Sequence, residues 1–181
     1  MFILDTNVIS ELRHGKPKQS PEVRRWAAKQ STGRLFLSVI TILELEKGIL
    51  ALERRTPPQG SALRAWLTGV RAAFAGRILP FSDDAATICA ALHVPDPRSE
   101  RDAMIAATAI EHGFTVVTRN TQDFVNAGVP LFNAGTFAGT QGKEKAANPM
   151  GIRLSRLSMA EEAGFEPAVG ITPRTLSRRV T

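Results

Sequence analysis

An apolar segment that ends on a carboxylate opens this sequence, in the run Phe2-Ile3-Leu4-Asp5-Thr6-Asn7-Val8-Ile9-Ser10. Residues 2–5 are predicted as a short buried strand, and Thr6 or Asn7 as the cap of the helix that follows. Ligands of open α/β sheets bind outside the carboxyl ends of the strands. Asp5 is therefore a candidate functional residue, although it could instead serve only as a cap of the helix.

Strands and helices alternate after this segment, which predicts an α/β fold with a central, mostly parallel sheet. Further strands are predicted at residues 35–39, 77–80, 115–118 and 129–132. Helices are predicted at residues 21–27, 41–55, 61–74, 83–93 and 100–112. A break between two of these helices is predicted at Thr56-Pro57-Pro58-Gln59-Gly60.

The last part of the chain differs in character from the rest. Residues 134–181 contain scattered Gly, Pro, Ser, Thr and Arg, without a sustained helical or strand period. We expect residues 1–133 to form one domain and residues 134–181 to be a flexible, disordered C-terminal tail.

The composition limits the class of protein and its partners. The 181 residues carry a formal net charge of +6, which favours polyanionic partners such as nucleic acid. A single cysteine excludes an internal disulfide and a cysteine-rich zinc site, and it suits a reducing compartment. Neither a signal peptide nor a run as long as a membrane span is visible. We therefore expect a cytoplasmic protein without a membrane partner.

Two further carboxylates lie on predicted helices where they border apolar stripes. Glu44 lies at the edge of such a stripe, and Asp102 extends the stripe of Ile105, Ala106 and Ala109 at helical spacing. Each acid also has an ordinary structural explanation. Glu44 could be a solvated residue at the edge of the stripe, and Asp102 could lie in the first turn of its helix because the helix macrodipole favours an acid there. Together with Asp5, however, both fall near strand ends or helix starts. Acids that converge there would repel one another unless Mg²⁺ or Mn²⁺ neutralised them.

Four segments in the same order resemble those of the PIN-domain nucleases, and most closely the VapC/FitB toxins of bacterial toxin–antitoxin pairs. Besides residues 2–10, they are Ser38-Val39-Ile40-Thr41-Ile42-Leu43-Glu44-Leu45, Arg101-Asp102-Ala103-Met104-Ile105-Ala106-Ala107-Thr108-Ala109 and Val116-Val117-Thr118-Arg119-Asn120. The resemblance covers about residues 1–133. It implies a PIN-like three-layer α/β/α sandwich whose acids cluster at one end of the sheet.

The resemblance also implies an active site and an activity. Asp5, Glu44 and Asp102 match the family's metal-binding acids, and Asn120 or Asp123 would complete the catalytic set. The implied activity is Mg²⁺-dependent endoribonuclease hydrolysis of RNA phosphodiester bonds, in which Mn²⁺ could substitute. Contacts with the substrate phosphate are expected from Thr6, Thr118 and Arg119, although the two threonines could equally cap local backbone and the arginine could be merely solvated.

The partners implied by the resemblance are an RNA substrate, a cognate antitoxin and a second copy of the chain. The complex of toxin and antitoxin would bind operator DNA. The apolar helix faces that carry Trp26 and Trp66 fit either core packing or such an interface.

Two other functions are weaker alternatives. A phosphatase of the haloacid-dehalogenase type also begins with a strand that ends in Asp, but it needs a second Asp where this chain has Asn7. A non-catalytic nucleic-acid-binding or regulatory PIN-like module would explain the charge but not the three acids.

Overall fold

The computed structural model describes residues 1–138, which form an α/β domain around a five-stranded, all-parallel sheet. The strand order is β3-β2-β1-β4-β5. The strands are β1 (Phe2–Leu4), β2 (Leu35–Ser38), β3 (Ile78–Leu79), β4 (Thr115–Thr118) and β5 (Leu131–Asn133). The predicted α/β class and parallel sheet are confirmed.

Helices cover both faces of the sheet, as all-parallel sheets require. They are α1 (Thr6–Glu11), α2 (Pro21–Ala28), α3 (Val39–Arg55), α4 (Pro57–Ala73), α5 (Asp83–Leu92) and α6 (Glu100–His112). Alternate strand residues face the two layers: Leu4 and Val117 pack against α1 to α4, whereas Ile3 and Val116 pack with Ile105 of α6. None of the helices in this part of the chain is long and apolar enough to cross a membrane.

Two predicted helix boundaries are wrong. Asp5, rather than Thr6 or Asn7, is the N-cap of α1, and its carboxylate accepts a hydrogen bond from the Thr6 N–H. Helix α4 begins at Pro57, so that the predicted break over residues 56–60 shrinks to Thr56. Proline is tolerated in the first turn of a helix because the N–H that it lacks would have no partner there.

The packed domain continues past the predicted boundary at residue 133. Residues 134–136 form a turn of 3₁₀ helix in which Ala134 is fully buried, and Phe137 packs against the same core as Trp26. The tail predicted for residues 134–181 lies, from residue 139 onward, outside the described residues.

The tryptophans occupy different environments. Trp26 is buried in the core, where its ring packs between Phe2 and Phe132. Trp66 is only half-buried on α4, beside a small groove that Arg13 and Lys16 also line. Core packing therefore accounts for Trp26 and only partly for Trp66.

Helices α3 and α4 form a tight pair, which fixes the helix that carries Glu44. Gly60 of α4 packs directly against Glu53 of α3. The contact is so close that a Cβ on Gly60 would come within 2.6 Å of the Glu53 Cα. Arg64 of α4 then bridges to α3, with two hydrogen bonds of 3.0 Å to the Glu53 carboxylate and a further one to Glu46.

Candidate active site

The parallel topology brings three acids from distant parts of the chain to one edge of the sheet. Asp5 directly follows β1, and α3, which carries Glu44, starts at the carboxyl end of β2. Asp102 lies in the first turn of α6. Because α6 runs back along the sheet to the start of β4, its first turn lies at the same carboxyl edge.

Asp5 is the most buried of these acids and is held by several donors. The residue is 6% exposed. One carboxylate oxygen accepts from the Thr6 N–H at 2.6 Å. The other accepts from the Thr118 hydroxyl at 2.7 Å and from the Asn7 amide at 2.6 Å. Asp5 is thus both the helix cap and a member of the acid cluster, so these two roles are not alternatives.

Asn7 joins α1 to the end of β4. Its amide nitrogen donates to Asp5 and, at 3.0 Å, to the Thr118 hydroxyl oxygen, and its amide oxygen accepts from the Arg119 N–H at 3.0 Å. The register that pairs Leu4 with Val117 places Asp5 and Thr118 side by side, which makes this bridge possible.

Glu44 faces two protein donors. The Thr6 hydroxyl donates to one of its carboxylate oxygens, and Arg101 donates to the other at 2.9 Å. The Glu44 side chain is 19% exposed, whereas that of Arg101 is 51% exposed. The third acid, Asp102, is half-buried immediately after Arg101.

The acids influence one another electrostatically. Burial is the main cause that raises the pKa of Asp5 to about 7, and the charges of Asp102 and Glu44 raise it further, against hydrogen bonds from Thr118 and Thr6 that lower it. Burial also raises the pKa of Asp102, as do the charges of Asp123 and Glu44. The charges of Asp102 and Glu44 both act on Asp5, as the predicted convergence of these three acids requires.

The two candidates for the fourth position lie together on the exposed rim. Asn120 and Asp123 are both exposed, and the Asn120 amide nitrogen donates to the Asp123 carboxylate at 2.7 Å. Asp123 is the acid whose charge most raises the pKa of Asp102. The two candidates for the fourth catalytic position, Asn120 and Asp123, are thus the two partners of a single hydrogen bond.

The residues expected to contact a phosphate are largely engaged within the protein. Thr118 is fully buried and donates to Asp5, so it orients this acid rather than reaching a substrate. The Thr6 hydroxyl is engaged by Glu44. The Arg119 guanidinium donates to Glu11, although its side chain remains 45% exposed.

The donor set suits a divalent cation. Carboxylate and amide oxygens are the ligands that Mg²⁺ prefers, and a cation would relieve the repulsion that adds to burial in raising the pKa values of Asp5 and Asp102. Within residues 1–138, no three His, Cys, Asp or Glu side chains stand together as a ready-made metal site. Because Glu44 accepts from Thr6 and Arg101, its carboxylate would have to exchange a protein donor for a metal ion.

The sequence reasoning missed three polar residues around the cluster. These are Asn7, Arg101 and the buried Glu11, whose carboxylate accepts from Lys16, the Ser20 N–H and Arg119. Burial raises the pKa of Glu11, but the hydrogen bonds and charges of these donors outweigh it and lower the pKa overall. Asn7 and Glu11 are spaced i, i+4 on α1, and this spacing could have indicated only that both lie on the same face of the helix.

Comparison with known proteins identifies the family. The sequence-family model of the PIN domain matches residues 2–129, which is more than half of the chain. The chain belongs to the PIN-domain family. A protein named VapC ribonuclease from Sinorhizobium fredii is 42% identical over 142 residues, which cover 74% of this chain and 96% of that protein. The toxin FitB from Neisseria gonorrhoeae is 36% identical over 139 residues, which cover 74% of this chain and 97% of FitB.

Solved structures of PIN-domain proteins share the fold. The crystal structure of FitAcB from Neisseria gonorrhoeae superposes with a TM-score of 0.67 at 37% identity, over 74% of this chain and 98% of that chain. A structure of FitAB bound to a DNA fragment gives a TM-score of 0.59 at 33% identity, over 78% and 100% of the two chains. The resemblance to PIN-domain toxins and the α/β sandwich expected from it are confirmed.

The raised pKa of Asp5 predicts a specific pH dependence of stability. The carboxyl of Asp5 has a pKa of about 7 in the folded protein, against 3.8 for an unperturbed Asp. The folded protein therefore binds a proton at Asp5 more tightly than the unfolded chain does. The stabilisation that this proton gives is complete below about pH 4 and is lost as the pH rises through about 7. Asp5→Asn should abolish this loss, so that the variant gains stability relative to the wild type between pH 5 and pH 8.

Urea denaturation at pH 5 and at pH 8, in buffer that contains EDTA, measures the difference in stability between Asp5→Asn and the wild type. Asp84→Asn is the matched control, because Asp84 is exposed in the first turn of α5, away from the cluster. Its stability should follow that of the wild type at both pH values. Parallel pH profiles for Asp5→Asn and the wild type would contradict the raised pKa.

Proposed function

We propose that this PIN-domain protein is a divalent-metal-dependent endoribonuclease that hydrolyses RNA phosphodiester bonds in the cytoplasm. The observation that carries the proposal is the placement of Asp5, Glu44 and Asp102 at the carboxyl edge of the sheet, where the charges of Asp102 and Glu44 act on Asp5. A protein named a VapC ribonuclease is among the relatives of this chain, which supports the reaction class.

In this proposal Asp5, Glu44 and Asp102 hold the cation, Mg²⁺ or Mn²⁺, and Asn120 or Asp123 completes the catalytic set. When bound, such a cation lowers the pKa of a water molecule and stabilises the charge that develops on the phosphodiester. The protein groups keep the acids in place. Thr118 and Asn7 orient Asp5, and the Thr6 hydroxyl orients Glu44.

The Asn120–Asp123 pair has a second role in the proposal. Both side chains are exposed at the mouth of the cluster, where they can contact either the cation or a water molecule near the scissile phosphate. The half-exposed Arg119, fixed by Glu11 and by the bond from its N–H to Asn7, lies beside them as a phosphate contact.

We further propose that the protein is the toxin of a toxin–antitoxin pair. FitAB, whose structure bound to DNA is similar to this chain, is one of several such complexes among the solved relatives, which supports a protein antitoxin and a complex that binds operator DNA. The pairing of Arg101 with Glu44 indicates that an arginine from the antitoxin could bind the same carboxylates. Three half-exposed apolar residues of α3, Val39, Leu43 and Leu50, support a homodimer.

The first test of the proposed reaction uses purified protein and single-stranded RNA. Cleavage should require Mg²⁺ or Mn²⁺ and stop when EDTA is added. Asp102→Asn should reduce the cleavage rate by at least about a hundredfold, since it removes one charge from the metal site. Asp83→Asn, a variant of an exposed acid in the first turn of α5, is the control and should cleave like the wild type.

Two outcomes would contradict the proposed reaction. One is undiminished cleavage in EDTA. The other is an Asp102→Asn variant that stays folded and cleaves at the wild-type rate. A protein that binds single-stranded RNA without cleaving it in either metal would instead favour the non-catalytic nucleic-acid-binding alternative.

The proposed partner can be tested in cells. Expression of the protein should arrest growth, and co-expression of the reading frame immediately upstream should restore it. An arginine-to-alanine change in the segment of that partner which contacts the acids should weaken the rescue. Arrest that no neighbouring gene relieves would contradict the toxin–antitoxin assignment but not the ribonuclease assignment.

A further inference from the structure

A cationic side chain already contacts the carboxylate cluster. Arg101, the second residue of α6, donates from Nη1 to Glu44 Oε1 at 2.9 Å. Arg101 therefore partly neutralises the negative charge of Glu44.

The carboxylate of Glu44 has no oxygen without a protein donor. The Thr6 hydroxyl donates to Oε2 while Arg101 occupies Oε1. The two donors differ in how firmly they are held. Thr6 is half-buried at the start of α1 and tied to Asp5 through its N–H, whereas the Arg101 side chain is 51% exposed and can rotate into solvent. Arg101 is the donor that Glu44 can release at lower cost.

A divalent cation at this cluster would compete with Arg101. Both are positively charged, and a guanidinium in contact with a metal ligand repels the metal ion at short range. Binding of the cation through Glu44 therefore favours the release of Arg101. Since an exposed ion pair contributes only modestly to stability, this exchange is within reach of ordinary metal affinities.

The released guanidinium would remain at the rim of the acid cluster, beside the proposed site of the reaction. Arg101 stands on the rim of the cluster, directly before Asp102, and its long side chain reaches several ångströms from α6. A planar guanidinium pairs with phosphate through two parallel hydrogen bonds. The same side chain can thus exchange the carboxylate of Glu44 for a phosphate of the substrate.

We propose that Arg101 is a displaceable counter-ion that couples metal binding to RNA binding. Arg101 holds Glu44 until a divalent cation replaces it, and it then binds the phosphate backbone of the RNA. The proposal rests on the proposed function, because it assumes that the acids bind a metal. By thermodynamic linkage, RNA must then raise the affinity for the metal by the same factor by which the metal raises the affinity for RNA.

The test measures Mn²⁺ binding by isothermal titration calorimetry, with and without a saturating 2′-O-methyl RNA oligonucleotide whose integrity is checked on a gel. Without the oligonucleotide, Arg101→Gln should bind Mn²⁺ about two- to fivefold more tightly than the wild type, because the competing ion pair is gone. With the oligonucleotide, the wild type should gain affinity for Mn²⁺ and Arg101→Gln should gain much less. Arg101→Lys, which keeps the charge but not the planar fork, should fall between them.

Arg71→Gln is the matched control. Arg71 pairs with Glu46, an acid two residues beyond Glu44 on α3, and its guanidinium is similarly exposed. This variant should match the wild type in both titrations. Circular dichroism of each variant confirms that it is folded.

The outcomes separate this inference from the proposed function. If the wild type binds Mn²⁺ and Asp5→Asn abolishes the binding, but Arg101→Gln shows the wild-type affinity or the full gain with the oligonucleotide, the role of Arg101 is refuted and the metal site stands. If the wild type binds no Mn²⁺, the metal-dependent function and the role of Arg101 fail together.

Discussion

The buried carboxylate of Asp5 is the constraint around which the rest of the site is arranged. Asp5 follows the central strand β1, where it is almost excluded from water, and its pKa rises to about 7. A charge in such a position is tolerated only when donors surround it. Thr6, Asn7 and Thr118 are these donors, and each also contacts a second element of the site. The capping of α1 and the link to β4 satisfy this one carboxylate, and Thr6, whose N–H donates to Asp5, also donates to Glu44 through its hydroxyl.

Burial of the acids and repulsion between them together set the electrostatic character of the site. Burial and neighbouring charges raise the pKa values of Asp5 and Asp102, whereas Glu11, which is also buried, is surrounded by Lys16, Arg119 and a backbone N–H that together lower its pKa. Glu11 is therefore a structural acid with its charge already balanced. The cluster of Asp5, Glu44 and Asp102 keeps an excess of negative charge, which is the property that a cation-binding site needs.

The order of the elements was largely predictable from the sequence, since apolar strands and amphipathic helices alternate with clear spacing. The failures have local physical causes. Thr56-Pro57-Pro58-Gln59-Gly60 has the composition of a loop, but its prolines fit the first turn of α4, where no N–H is required. The cap of α1 was misplaced by one or two residues because Asp5, Thr6 and Asn7 are all residue types that cap helices, so that composition alone does not choose among them.

The acids of the candidate site were predictable, but their partners were not. Asp5, Glu44 and Asp102 stand out because each lies beside an apolar pattern that a charged residue would otherwise avoid. The contact between Arg101 and Glu44 joins residues 57 positions apart, and that between Glu11 and Arg119 joins residues 108 apart. Such pairs depend on how exposed or loop residues meet in the folded structure. Hydrophobic periodicity in the sequence carries no information about these meetings.

The most direct measurement is anomalous diffraction from crystals of the protein soaked in Mn²⁺. If the acids at the carboxyl edge of the sheet form a metal site, an anomalous peak should appear within coordination distance of Asp5, Glu44 and Asp102. Glu44 should then no longer be paired with Arg101. Crystals of Asp5→Asn treated in the same way should lose this peak. A wild-type protein that shows no peak at these acids, or a peak only elsewhere on its surface, would contradict the assignment of the cluster as a metal-dependent nuclease site.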